Sequence, residues 1–481
     1  MPLILGTNSI KDTGYNVANS CRFNDGDSPY LSRNMSSQGS SIKGSFSAWI
    51  KWSSHTSDKC LMTHYYNNNY FFSIHSQDDN TFMVKDYRTS NIMVYYTSAV
   101  YRDLSSWYNF VVIVDRSLGT ANDRVKIFIN GTRLTSANSG LTVGAAYDQQ
   151  TSGSHSGNHS MNNDYTLEVG RNQALNGDGY MDGYIAEMVW LDGVAKAVTD
   201  FGEFDEDSPT IWKPKDVSGL SSEKGTNGFW LDFKDSSNLG NCAFGGTDFS
   251  ENNIAATDQS TDTCTTNFAT GNPLAAQGGS AQSDSLLTFT EGNLLMAANS
   301  ETGIANIGLS TGKWFWEVKV IADQDGLIIG ACNEHFNINA ELGYNSPSSP
   351  SAAKIFGYYG GNGNSMIVVG DGTSQSYGSA IAVNNIIGVA LDLTSADQSC
   401  TFYLNGSSQG ALDITNLGTG ESYFPAVGNW SVADISTSWN FGSPEFAIST
   451  GNTDANGYGN FEYAVPSGYY AINTKNLAEF G

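Results

Sequence analysis

Two carboxylates four residues apart, Glu203 and Asp207 in the run EFDED, are the nearest the sequence comes to an acid and nucleophile pair. A retaining glycosidase sets such groups about 5–5.5 Å apart across the scissile bond. That geometry needs a central concave strand, whereas this run follows the last strand of its sandwich and stands just before Pro209, so an acidic, solvated connector is the expected reading. His155 and His159 in SHSGNHS lie on a Gly/Ser loop, where no helix aligns them and no carboxylate or thiol follows at metal spacing. Asp178 and Asp182 in NGDGYMDG, and Asp323 and Asp325 in ADQDGL, offer oxygen ligands that suit calcium but lack the spacing of an EF-hand loop. Turn formation is the competing role for all four aspartates. Walker-loop and Cys/His spacings are missing, so phosphate chemistry and a cysteine nucleophile have no candidate and no enzyme is expected.

Recognition has better candidates. A sugar site sets aromatic faces, on which pyranose rings stack, beside polar groups in loops held by a rigid scaffold. HYYNNNYFF offers Tyr65, Tyr66, Asn67, Asn68 and Asn69. GYYGGNGN offers Tyr358, Tyr359, Asn362 and Asn364, and the later GNWS adds Trp430. The competing role is aromatic packing on sheet edges or against another subunit.

The elements that must position these loops are strands. VKIFINGTRL near residue 125 and TFYLNGSSQG near residue 401 are two versions of one pattern, each preceded by an apolar run ending in aspartate, at Asp115 and Asp392. In VKIFI, Val125, Ile127 and Ile129 share one strand face, because side chains alternate with period two. Asn130-Gly131 and Asn405-Gly406 supply the two positive-φ residues of a type I′ hairpin turn. Each copy therefore predicts a three-stranded meander, and burying its apolar face requires a second sheet.

At 481 residues the chain is too long for one ordinary core, and two such meanders fit two sandwiches. Gly, Ser, Thr and Asn are abundant and no long stretch has a helical period, so the class is all-β. A formal charge of −25 argues against a nucleic-acid partner. The start MPLILGTNSIKDTG lacks a basic, strongly apolar leader, so synthesis and folding in a cytosol are expected, with no membrane insertion. Cys21, Cys60, Cys242, Cys264, Cys332 and Cys400 have no CxxC spacing and are expected as free thiols, a Cys242–Cys264 bridge being left open. Five Asn-x-Ser/Thr triplets, including those at Asn130 and Asn405, read as turns.

NSCRFNDGDSPYLSR, GSFSAWIKW, WYNFVVIVD, KIFING, EVGR and DGYIAEMVWLDGVA together resemble the laminin-G-like, concanavalin-type lectin fold over most of the first half. That resemblance implies a jelly-roll sandwich, allows calcium, and brings glycoside hydrolases into view for EFDED. GKWFWEVKV, IIGVALD, TFYLNG, YFPAV and WNFG are similar, in order and spacing, to a SPRY domain, whose members bind partners through loops. FGEFDEDSPTIWKPKDVSGL and DFSENNIAATDQSTDTC resemble a linker of tailed, marine-type bacteriophage structural proteins.

The expected architecture is thus two concanavalin-like jelly-roll β-sandwiches in tandem. It comprises an arm (1–16), a laminin-G-like sandwich (17–244, its last strand near 228–234), a Thr/Asn/Asp-rich linker without its own core (245–285), a SPRY sandwich (286–448) and a C-terminal segment packed back on it (449–481). The expected function is a virion-exterior, tail-fibre or adhesin-like protein that binds host surface glycan through loops and needs no cofactor, calcium aside. Its expected partners are other virion proteins and further copies of itself. An architectural head-decoration or fibre module is the alternative, and a glycan depolymerase ranks below both.

Overall fold

The computed structural model describes residues 14–35, 37–135, 142–143, 159–275, 287–299, 301–322, 326–336, 342, 354–360, 366–369, 373–394, 398–415, 420–429 and 434–481. Two compact units divide between Thr265 and Thr266. Both are β-sandwiches. Among the described residues no helix is long and apolar enough to cross a membrane.

In the first unit one sheet sets Val125–Ile129, Tyr108–Asp115, Lys43–Trp52, Gly183–Asp192 and Ser20–Phe23 side by side. The facing sheet runs Asn91–Tyr96, Phe82–Arg88, Tyr70–Ser76, Lys59–Asn67, Thr166–Val169 and Tyr30–Asn34. Alternation puts Phe46, Ile50, Phe110, Val112 and Ile127 of the first sheet against Phe72, Ile74, Val84 and Leu167 of the second, all buried. The rings of Phe82 and Phe110 meet across the gap at 4.4 Å. Phe229–Leu231, in FWLDF, adds to the long strand Gly183–Asp192.

Residues 245–265 depart from the coreless linker that their composition suggests. Ser250–Asn252 pairs with Tyr30–Asn34, and Gln259–Ser260 pairs with Ser20–Phe23. Asp262 then meets Lys51 at 2.7 Å, both side chains 1% exposed, and also accepts from Trp107 Nε1 at 3.1 Å. Polar side chains serve here because each finds a partner, as when Thr263 Oγ1 donates to the Val17 carbonyl at 3.0 Å. Residues 276–286 lie outside the described residues.

In the second unit one sheet orders Thr288–Thr290, Leu295–Asn299, Asp434–Asn440, Lys313–Ala322, Ile386–Asp392, Ser399–Leu404 and Ser407–Asp413. The other orders Thr302–Ile304, Tyr423–Asn429, Leu327–Asn333, Ile355–Tyr359, Met366–Val369 and Thr373–Ser376. Trp316, Val318, Val389, Phe402 and Trp439 pack against Ile329, Phe356 and Val427 between them. The outer face of Lys313–Ala322 carries Phe315 and Glu317, and the C-terminal segment covers both. Phe461 meets Phe315 at 5.2 Å, and the Glu317 carboxylate accepts from the Glu462 and Tyr463 backbone N–H groups at 3.0 and 2.9 Å. Tyr470–Ala471 pairs in parallel with Trp314 and Phe315.

The repeated sequence pattern has a physical basis in both units. Asn130 and Gly131 have φ of 46° and 75°, and Asn405 and Gly406 have 47° and 78°. The Asn130 side-chain oxygen accepts from Asn109 N at 2.8 Å, and that of Asn405 accepts from Ile386 N at 2.9 Å. Each asparagine thus makes the turn and also ties it to the neighbouring strand. At the far end of that strand Lys43 pairs with Asp115 at 3.1 Å and Lys313 with Asp392 at 2.7 Å. All six cysteines are free thiols, including Cys242 and Cys264.

Candidate functional site

Strands Lys59–Asn67 and Tyr70–Ser76 are joined by Asn68 and Asn69 in the first unit. The asparagine run builds this turn. Asn67 Oδ1 accepts from Asn69 N at 2.8 Å, Asn68 Oδ1 accepts from the Tyr65 hydroxyl at 2.8 Å, and the Asn69 carbonyl accepts from Thr89 N at 2.7 Å. The amide nitrogen of Asn68 and the side chain of Asn69 have no protein partner among the described residues, and both residues are exposed.

Beside the turn, Tyr66 is 63% exposed. One of its faces stacks on Tyr165, with centroids 5.2 Å apart and planes at 25°, and Tyr70 meets it edge-on at 6.2 Å. The Tyr165 hydroxyl accepts from Asn163 Nδ2 at 3.2 Å. Opposite Tyr70 in register stands Arg88, its guanidinium carbon 5.1 Å from the Tyr70 centroid. The result is an aromatic platform with one open tyrosine face, free amides in the adjoining turn and an arginine on Tyr70. Such a surface stacks and hydrogen-bonds a ligand and has no group placed for bond cleavage.

Of the expected residues, Tyr65, Tyr66, Asn67, Asn68 and Asn69 converge here. Tyr70, Arg88, Asn163 and Tyr165 join them and were not singled out from the sequence. Only strand register brings them together, although Tyr70 does follow from the two-residue loop that NNN can form.

Two residues of the second set are corrected. Tyr358 and Tyr359 are on strand Ile355–Tyr359 rather than in a loop, and are 0% and 4% exposed. Tyr358 packs on Phe402 and Tyr377 in the main core, and its hydroxyl accepts from Ser379 N at 2.9 Å. Tyr359 points to the other face, which Ile304, Phe336 and Phe424 cover. With both faces covered, neither ring has a side left for a ligand. Asn362, Asn364 and Trp430 lie outside the described residues, as do Asp323, Asp325 and His155.

Asp178 lies in a turn with φ of 60°, where its carbonyl accepts from Asn172 N at 2.8 Å, and the Asp182 carbonyl accepts from Ser53 N at 3.1 Å. Among the described residues no three His, Cys, Asp or Glu side chains are grouped to hold a metal ion. His159 is buried rather than in a surface loop, packed between Arg116 and Asp86. Glu203 and Asp207 are exposed; Glu203 lies on the short hairpin of Gly202–Phe204 with Trp212–Pro214, where Asp205 accepts from Asp207 N and Ser208 N at 3.1 and 2.8 Å. That is a turn-building role.

A second feature lies one strand beyond Tyr165. Met35 N donates to the Tyr165 carbonyl at 3.1 Å, and Arg33, Asn34 and Met35 line a cavity of about 60 Å³ with Lys224, Asn227 and Gly245. Arg33 donates to the Thr247 and Asn227 carbonyls, both at 2.8 Å, and lies 4.6 Å over the Phe249 ring. Burial pushes the Arg33 pKa down from its ordinary value.

Residues 313–437 match the SPRY domain family. Among solved structures the chain is similar to the SPRY domain of human HERC1, at 13% identity over 35% of this chain and 96% of that one, TM-score 0.27. It is similar to the TRIM65 PSpry domain at 14% identity over 36% and 91%, TM-score 0.28. A heptameric SAP-like pentraxin from Limulus polyphemus is similar at 12% identity over 39% and 82%, TM-score 0.27. A search of curated proteins finds no match.

Proposed function

We propose that this chain is a glycan-binding, virion-exterior protein of the tail-fibre or adhesin kind, and that its first sandwich holds the binding surface. The observation that carries this reading is the open face of Tyr66, backed by Tyr165 and flanked by the free amides of Asn68 and Asn69. A pyranose ring stacks on such a face while its hydroxyls bond the amides, and the sheet behind keeps the platform rigid. The SPRY domain then serves protein contacts, with other virion proteins or with further copies of the chain. Several weak sites on one oligomer would add by avidity. The exterior placement is supported by the phage-linker resemblance of the segments following Phe201 and Asp248.

The test is retention of full-length protein on host cells or their extracted polysaccharide. Tyr66→Ala with Tyr165→Ala should lower retention by about thirtyfold, the size of a hot-spot loss. Wild-type retention by the double variant would remove the platform as the site. An architectural reading is favoured by one observation, that Tyr358 and Tyr359 are consumed by their own core. Antibody labelling of intact virions separates the two, since a capsid-wide signal supports decoration and a tail-tip signal supports adhesion.

A further inference from the structure

We infer that the tyrosine platform takes an acidic glycan, a polymer whose rings carry carboxylate groups. This rests on the glycan reading above and adds the ligand's charge. Arg88 gives the first argument. One amino group donates to the His159 carbonyl at 3.2 Å, whereas Nε and the other amino group meet no protein acceptor among the described residues. Two parallel N–H groups on one guanidinium edge are what a carboxylate accepts in bidentate fashion. Arg88 packs on Tyr70, whose ring in turn meets edge-on the Tyr66 ring on which a sugar would stack.

The second argument comes from the opposite flank. Beyond Tyr165 lies the small cavity lined by Arg33 and Lys224, and none of its lining residues is a carboxylate. Lys224 donates to the Phe244 carbonyl at 2.8 Å and to that of Gly245, which holds its ammonium at the rim. A chain of formal charge −25 thus sets a cation on each flank of a tyrosine row in which Tyr66 is exposed and Tyr70 and Tyr165 are half-buried. In strand order the series is Arg88, Tyr70, Tyr66, Tyr165 and Arg33. Four interstrand steps span about 19 Å. That reach suits a chain of sugars with repeated charge better than a single ring.

The net negative charge does not forbid this. Exposed charges more than about 8 Å away are largely screened at physiological salt, so the nearest groups decide. Asp164, exposed and next to Tyr165 in sequence, opposes the preference, as do Asp86, whose charge acts on Tyr165, and Asp248, whose charge acts on Arg33.

The experiment uses full-length protein with polygalacturonate and with alginate, each beside its fully esterified form, which keeps the rings and removes the charge. The acids should bind about tenfold or more tightly than the esters at low salt, as a charge-assisted hydrogen bond implies. High salt should shrink the gap. Arg88→Gln should shrink the gap by lowering acid binding far more than ester binding, Arg88→Lys should restore part of it, and Tyr66→Ala should weaken acid and ester alike. Equal binding of acid and ester overturns the inference while leaving the glycan reading standing. Arg88→Gln weakening both forms equally also overturns it, since Arg88 would then only support the tyrosines. If neither form of either polymer binds, and neutral host glycan does, the charge assignment falls alone. If no glycan binds, the reading falls with it.

Discussion

Glu187 sits in the left-handed region, with φ of 49°, where the pairing of Gly183–Asp192 with Lys43–Trp52 shifts register between Ala186 and Val189. Its carboxyl accepts from Trp230 Nε1 at 3.1 Å and from the Tyr15 hydroxyl at 3.4 Å. Burial, opposed by Lys234 and aided by Asp232, pushes its pKa up from 4.5 to about 8. The folded chain therefore keeps a proton that the unfolded chain releases. This contribution to stability is whole below the unfolded value and is lost as pH rises through the folded one. At about 1.4 kcal/mol per pKa unit, the loss is on the order of a few kcal/mol. Urea unfolding of the first unit should accordingly give a midpoint that falls between about pH 6.5 and pH 8.5. Glu187→Gln keeps the shape and removes the titration, so its midpoint should stay level across that range. An unchanged slope in the variant would place the pH dependence on another group.

At the scale of elements, the two Asn-Gly hairpins make one comparison available twice. Each asparagine holds positive φ and accepts from the next strand, at Asn109 and at Ile386. Alanine should lose both contributions and glycine only the second. Asn130→Ala and Asn405→Ala should each cost about 2–3 kcal/mol and the glycine variants about 1 kcal/mol, as read from denaturation midpoints. Equal losses for alanine and glycine would leave the side-chain bond as the sole contribution. These hairpins were legible in the sequence because their signals are local: alternation over five residues and two turn residues. The strand Ile355–Tyr359 was not legible as buried, because what covers Tyr359 is Ile304, Phe336 and Phe424, distant in the chain. Residues 245–265 misled for a related reason. Their role depends on Ser20–Phe23 and Lys51, more than two hundred residues earlier, and hydrogen bonding leaves no apolar periodicity to read. The platform was half legible. HYYNNNYFF named its exposed turn, whereas Tyr165 and Arg88 join it only through strand pairing.

Across the whole molecule, the two units should answer acid in opposite directions. In the first, burial pushes the pKa of His64 and His75 down to about 3 and that of His55 to about 4. His64 lies between Trp190 and Phe72, and its Nδ1 accepts from Asn162 N at 2.8 Å, so a charged ring has no room for water. Neutral histidines of this kind contribute stability that is present above their unfolded pKa, near 6.5, and is lost as pH falls. Between about pH 5 and pH 6.5 these three act against Glu187, with Asp58 and Asp192, also raised chiefly by burial, adding to Glu187 at the lower edge. The first unit should therefore weaken on acidification. In the second unit Glu317 is pushed by burial up to about 7, despite its backbone and Asn440 donors, and its contribution grows as pH falls. Calorimetry should then resolve two transitions that move apart or cross between about pH 6.5 and pH 5, one falling and one rising. Two transitions shifting the same way would refute the assignment of these buried groups as the source. Because the tyrosine platform belongs to the acid-sensitive sandwich, glycan retention should be lost with the falling transition while the SPRY domain is still folded. A protein losing both together would have its stability set by something the two cores share.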